Sequence, residues 1–222
     1  VRLPPGRFTM GSPPDEEGRS NNEVAHLVTL TRPFLIGVAP VTQAEWRRVM
    51  GSNPSSFKGD DRPVENVSWL DAILFSNALS RAAGLEEAYV VERRPVFGDR
   101  VVWTGPGATG CRLPNEAEWE YACRAGTAGA RYGDLDCIAW HAGNSGRQTH
   151  AIGQKQANAW GLHDTLGNVW EWVHDWYGAY SAGSSTDPTG PGTGAVRVVR
   201  GGGWSYDAAY CRSAERYLYD PA

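Results

Sequence analysis

Two carboxylates, Asp164 and Glu171, bracket a segment that could hold a metal ion: Asp164-Thr165-Leu166-Gly167-Asn168-Val169-Trp170-Glu171. A glycine inside it lets the backbone turn and offer carbonyl oxygens. Oxygen donors from side chain and backbone together suit the hard calcium ion. The same carboxylates would also serve by hydrogen-bonding loop backbone around a Trp-rich strand, and spacing alone does not choose between the two.

Other catalytic patterns fail on context. Gly105, Gly107 and Gly110 spell G-x-G-x-x-G after the apolar run Val101 to Trp103. A phosphate site of that kind needs its glycines to open a helix, so that free N–H groups point at the anion. Pro114 follows instead, and the next helix cap is Asn115, so the segment reads as a plain hairpin loop. No G-x-S-x-G, H-E-x-x-H or Walker sequence occurs, and His26, His141, His150, His163 and His174 have no spacing that suits a metal. Cys111, Cys123, Cys137 and Cys211 contain no C-x-x-C pair, which argues against structural zinc. They fit one or two disulfides and four reduced thiols equally well. Acid-rich Asp15 to Glu17 reads as a solvated surface.

The elements that must position these residues are short. Three helices are expected where a capping box pairs a first-turn acid with an N-cap three residues earlier: Thr42 with Glu45, Ser68 with Asp71, and Asn115 with Glu118. The middle helix should bury Ala72, Phe75, Leu79 and Ala82 and stop at Gly84, with the others ending near Gly51 and Gly126. Brief apolar runs at His26 to Leu30, Val169 to Val173 and Val196 to Val199 read as short strands, and Gly178 to Gly194 as an exposed loop. With 10 Trp and 27 Gly, and with no linker or repeat, residues 1–222 are expected to form one loop-rich domain. A net charge of -4 gives no basic footprint for nucleic acid. No apolar stretch approaches the roughly 18 residues of a membrane span, so membrane insertion is not expected. The sequence opens at Val1 without a signal-peptide pattern or an initiator Met, which leaves localisation open and suggests a trimmed upstream segment.

A family resemblance rests on longer strings. Asn158-Ala159-Trp160-Gly161-Leu162-His163-Asp164 leads into Gly167-Asn168-Val169-Trp170-Glu171-Trp172 and Asp175-Trp176-Tyr177. Phe8 to Ser12, Pro40 to Trp46, Pro63 to Trp69, Arg112 to Tyr121 and Arg200-Gly201-Gly202-Gly203-Trp204 accompany them, in order along nearly the whole chain. Together they resemble the sulfatase-modifying-factor, or formylglycine-generating-enzyme, family. The resemblance implies an α+β fold of the elaborated C-type-lectin type, with short strands, two packed helices and long ordered loops. It also implies a structural calcium ion held by Asp164, Gly167, Val169 and Glu171, the outer two through side chains and the inner two through carbonyls. The family's other calcium site is not matched.

The same resemblance bears on catalysis. The enzymes of the family place two active-site cysteines after the glycine-rich strand to bind copper(I), which favours soft thiolate ligands. Here the first of those positions falls on Tyr206, only Cys211 matches the second, and the stretch before Arg216 is shorter. No copper is therefore expected; Cys211 is instead expected to be structural, and some family members imply pairing with Cys123. Trp204, Cys211, Arg212, Ser213, Ala214 and Arg216 fit the family scaffold. Tyr206, Asp207, Tyr210, Tyr217, Tyr219 and Asp220 follow no burial period and, with Trp204 and Ser205, are the expected ligand-binding residues. Tyr, Ser and Asp are residues of adaptable binding surfaces, since Tyr offers large contact area at small entropic loss. This tail resembles that of variable proteins from diversity-generating retroelements, which randomise a C-terminal segment on this scaffold. The expected function is a monomeric, non-catalytic domain binding a protein or other macromolecular ligand; a formylglycine-generating oxidase is the alternative. The resemblance implies a closing Gly-Phe-Arg strand some residues after the Asp-Pro step, and the sequence stops at Asp220-Pro221-Ala222 without it: either that final strand is missing or the numbering runs on over unseen residues.

Overall fold

A computed structural model describes residues 1–94, 99–181 and 183–222. In chain order the strands are β1 (Arg2–Leu3), β2 (Gly6–Met10), β3 (His26–Leu30), β4 (Phe34–Leu35), β5 (Tyr89–Glu92), β6 (Arg100–Trp103), β7 (Glu171–Trp176), β8 (Ser185–Thr186), β9 (Arg197–Arg200) and β10 (Arg216–Tyr219). The helices are α1 (Gln43–Met50), α2 (Trp69–Ala82), α3 (Glu116–Arg124) and the single turn α4 (Leu135–Ile138).

Capping starts the three longer helices where the sequence places it. Thr42 Oγ1 accepts from the Glu45 N–H (3.2 Å) while Glu45 accepts from the Thr42 N–H (2.9 Å), and Ser68 with Asp71 does the same at 3.1 and 2.9 Å. At α3 only half of the exchange forms. Glu118 accepts from the Asn115 N–H (2.8 Å), but Asn115 Oδ1 has no partner, and Arg112 grips Glu118 with both guanidinium arms (2.6 and 2.7 Å). Gly51 (φ 77°) ends α1, and Ala125 (φ 45°) ends α3 one residue before the expected Gly126.

The buried stripe of α2 departs from the expected one. Ala72 and Phe75 are buried, whereas Leu79 is half-buried and Ala82 is exposed in the last turn. Polar side chains take the inner face there because each finds a backbone partner. Ser76 and Ser80 donate to the carbonyls of Ala72 and Ser76 (2.8 Å each), and Asn77 exchanges two hydrogen bonds with Tyr89 (2.7 and 3.2 Å). A satisfied buried polar group costs little, so hydrophobic spacing alone misses this stripe. α1 and α2 pack through Trp46 stacked on Phe75 (4.9 Å, 5°).

β2, β3 and β8 form one sheet, β10, β9 and β7 another, and β5–β6 and β1–β4 are two-stranded. β3 forms over the predicted residues. β7 begins two residues later than predicted, because Gly167 (φ 76°) and Asn168 (φ 61°) hold the preceding backbone out of the extended region. The Gly178–Gly194 loop carries the short strand β8, which pairs parallel with β3. Gly105 to Gly110 lies beyond the β5–β6 hairpin, not at its tip, and leads from β6 toward α3. Gly110 is required there, since a Cβ would stand 1.9 Å from the Glu86 carbonyl oxygen.

Trp119, Cys123, Leu166, Val173 and Val198 tie α3 to β7 and β9 in the main core cluster. Three buried arginines then clamp the tail to this body. Arg200 donates to the carbonyls of Ser213, Ala214 and Glu215 (2.8, 3.0 and 2.7 Å) and pairs with Glu120. Arg212 meets Glu16, Glu23 and Glu215 (2.7 Å each), and Arg216 meets Glu116 (2.6 Å). Among the described residues no helix is long and apolar enough to cross a membrane.

Candidate functional site

β10 pairs antiparallel with β9, which also pairs with β7, and this brings the tail tyrosines over Trp170, just before β7, and Trp172 within it. Trp170 contacts Tyr206 (5.3 Å, 88°), Tyr210 (6.4 Å, 76°) and Tyr217 (5.7 Å, 32°). Tyr217 in turn meets Tyr219 (5.6 Å), which meets Trp172 (6.2 Å). Tyr206 and Tyr210 touch edge to face (5.3 Å), and the hydroxyls of Tyr206 and Tyr219 hydrogen-bond across the face (2.7 Å). Partial burial, and then the shared Tyr206 proton, push the Tyr219 phenol up, so it stays protonated. The result is one continuous ring surface instead of separate side chains.

Exposure divides the tail into two sets. Cys211, Arg212, Ser213, Ala214 and Arg216 are buried, as is Glu215, while Ser205, Asp207, Tyr217, Tyr219 and Asp220 are exposed and Tyr206 and Tyr210 half-buried. Tyr217 and Tyr219 keep 38% and 40% of their surface in water, high for tyrosines lying in a strand. Trp204 is half-buried at the far end, edge-on to Phe57 (5.2 Å). Eight residues named from the sequence thus lie along one tail segment, but Trp170, Trp172 and Phe57 were not among them. Trp170 sits within the Gly167–Trp172 string, yet no local pattern shows that the tail returns to it.

The acidic loop lies directly behind this face. Asp164, Gly167 and Asn168 all have positive φ (55°, 76° and 61°), which curls the backbone tightly. Only glycine fits at 167, where a Cβ would stand 2.4 Å from the Trp140 carbonyl oxygen. Asn168 locks the curl by exchanging two bonds with the His150 backbone (3.0 Å each). The loop also holds the glycine-rich strand: Gly167 N–H donates to Gly201 (2.7 Å), and Trp204 N–H donates to Asn168 (3.0 Å).

The charges of this loop are poorly compensated. Asp164 is 1% exposed; one of its carboxylate oxygens accepts from the Gly153 N–H (2.6 Å), and the other has no partner. Burial raises the Asp164 carboxyl. Burial also pushes Glu171 up to about 7, against a hydrogen bond from Trp119 Nε1 (2.9 Å) and with help from the Asp164 charge. The buried hydroxyls of Thr165 and Tyr132 are likewise without partners. A divalent cation accepting oxygen ligands would answer such a group of unpaired donors.

All four cysteines are free thiols. Cys123 Sγ faces Ser213 Oγ (3.6 Å), so the pairing with Cys211 that the resemblance implied is not made. Burial raises Cys123 to about 11 and Cys211 to about 12. Cys211 lies close to Gly202, whose missing Cβ leaves room for the sulfur.

Comparison with known proteins places this architecture. The Sulfatase-modifying factor enzyme 1-like domain matches residues 1–222. The Paenibacillus barcinonensis chaperone protein LppX is 36% identical over 80% of this chain and 71% of its own length. The Streptomyces coelicolor formylglycine-generating enzyme is 34% identical over 77% of the chain, and the match spans only about half, 51%, of that enzyme. Among solved structures, Treponema denticola variable protein 1 superposes with a TM-score of 0.90 and 34% identity, over 99% of this chain and 88% of that one.

Proposed function

The chain belongs to the Sulfatase-modifying factor enzyme 1-like family, and within that family we propose for it a non-catalytic role: a C-type-lectin scaffold presenting a Tyr-rich C-terminal surface to a macromolecular ligand. The observation that carries the reading is the division of the tail into buried framework and exposed rings. Side chains already fixed by mutual contact lose little entropy on binding, which is how rigid aromatic paratopes gain affinity. The likeness to a Treponema denticola variable protein supports the scaffold role, and with it the reading of the tail as a retroelement-diversified segment. We read residues 1–222 as one monomeric domain that neither binds nucleic acid nor inserts into a membrane.

Two features speak against copper-dependent oxidation. By resemblance to the enzymes, the first copper-binding cysteine is replaced by Tyr206, whose phenol is no soft ligand. The remaining thiol, Cys211, is 0% exposed and pushed up to about 12, so it is neither accessible nor a thiolate at neutral pH. Calcium has a structural part in this reading. Asp164 and Glu171 would hold it by carboxylates and Gly167 and Val169 by carbonyls; the ion would supply the positive charge that the buried acids lack. Trp170 stands between two of those ligands, so the ion would brace the floor of the binding face.

Incubation with copper(I), oxygen and a Cys-x-Pro-x-Arg peptide tests the non-catalytic role: the peptide should remain unmodified, and robust aldehyde formation would overturn it. The retroelement reading requires a neighbouring reverse-transcriptase gene and a near-repeat of the tail differing at adenines; a locus lacking both refutes it.

A further inference from the structure

We infer that the ligand of the aromatic face is a basic segment of another protein, an arginine or lysine side chain lying against the rings of Trp170, Tyr217 and Tyr219 with Asp207 and Asp220 taking up its charge. The inference rests on the binding role proposed above and names the chemistry of the partner. Its first support is the rings. Trp170 meets three tyrosines, and the faces of such rings carry the negative side of their quadrupole, which attracts cations.

Unpaired acids give the second support. Among the described residues Asp207 forms no ion pair, and Asp220 only accepts from the Ala222 N–H (3.0 Å), although both are exposed. More acid stands on an adjoining segment. Leu70 N–H donates to Pro221 (3.3 Å), which sets Asp71 beside the end of the tail. Asp71 is engaged in its capping box and, among the described residues, forms no ion pair.

The third support is that the tail's own cations are spent elsewhere. Arg212 and Arg216, the cations of the tail, are buried in carboxylate pairs; Arg131 donates to the carbonyls of Cys211 and Ala208 (2.8 and 2.5 Å), which leaves its charge at the Ala208 turn. Exposed Lys58 and Arg147 lie toward the other end, near Phe57 and near Ser145, whose hydroxyl donates to the Trp204 carbonyl (2.8 Å). The cation-attracting part of the face is therefore its Trp170–Tyr219 end. An acidic or purely apolar partner would have to bury Asp207 and Asp220 without compensation, which disfavours both.

Selection of a phage-displayed library of random short peptides on the immobilised protein tests this, with a Tyr206→Ala/Tyr217→Ala variant as the counter-target. Peptides kept by the wild type and lost by that variant should be rich in Arg or Lys. Their affinity should fall about tenfold in Asp207→Asn/Asp220→Asn, and fall again at high ionic strength, while the melting temperature of that variant is unchanged. Retained peptides that are acidic or uncharged, or an affinity indifferent to the two neutralisations, would overturn the inference and leave the binding role standing. A selection yielding no peptide that distinguishes the wild type from the tyrosine variant would count against the binding role itself.

Discussion

Glu171 offers the sharpest test of how the acidic loop is held. In the metal-free fold its carboxyl titrates at about 7 against an ordinary 4.5, because burial penalises the charged form. A carboxyl raised in this way stabilises the folded state fully below pH 4.5, and that contribution is lost as pH climbs through 7. At about 1.36 kcal/mol per pH unit the loss amounts to about 3 kcal/mol, before the similarly raised Asp164 is considered. A calcium ion held there would reverse the sign, since it would bind the ionised carboxylates. For a chain of this size about 3 kcal/mol corresponds to about 6–12 °C in melting temperature. The assay is thermal unfolding followed by circular dichroism, with calcium or with chelator, at pH 5 and pH 8. In chelator the midpoint should fall by about that amount between pH 5 and pH 8, and added calcium should raise it at pH 8 and much less at pH 5. Glu171→Gln keeps an acceptor for Trp119 Nε1 but cannot ionise, so it should lose most of the chelator response and, without calcium, melt above the wild type at pH 8. Equal chelator effects at the two pH values, or none at pH 8, would refute the reasoning.

Other perturbations address the framework. Arg200→Met leaves three buried tail carbonyls without this donor while Glu120 keeps Arg124, so chemical denaturation should report a loss of about 3–5 kcal/mol. Gly167→Ala forces a Cβ against the Trp140 carbonyl at φ 76° and should cost about 2 kcal/mol, read from the same denaturation curves, with a weaker response to calcium. Exposed Cys137 should react with a thiol reagent in the native protein at pH 8, whereas Cys123 and Cys211, held at about 11 and about 12, should react only on unfolding.

Much of this architecture was legible locally. Helix starts follow from side chains satisfying nearby N–H groups, and such contacts span only a few residues; Thr42 with Glu45 and Ser68 with Asp71 are therefore readable from order alone. The glycine at 167 marks a turn in the sequence, but the Trp140 carbonyl that leaves no room for a side chain there comes from a distant segment and is visible only in the fold. Helix burial was less legible: at Ser76, Asn77 and Ser80 the choice of inner face depends on carbonyls supplied by the preceding turn and by Tyr89, which hydrophobic spacing does not register.

By itself the sequence determined the family, the lectin-like fold, the glycine-hinged acidic loop and the tail whose tyrosines follow no burial period. Only the tertiary structure decided that Trp170 and Trp172 form the floor beneath those tyrosines. The pairing of β10 with β9 and of β9 with β7 joins segments far apart in the chain, and that pairing is held by Arg200, Arg212 and Arg216, whose carboxylate partners come from the N-terminal loop, from α3 and from the tail itself. Charge pairs between distant segments leave no periodic trace in a sequence, so the composition of the aromatic face became visible only once the chain was folded.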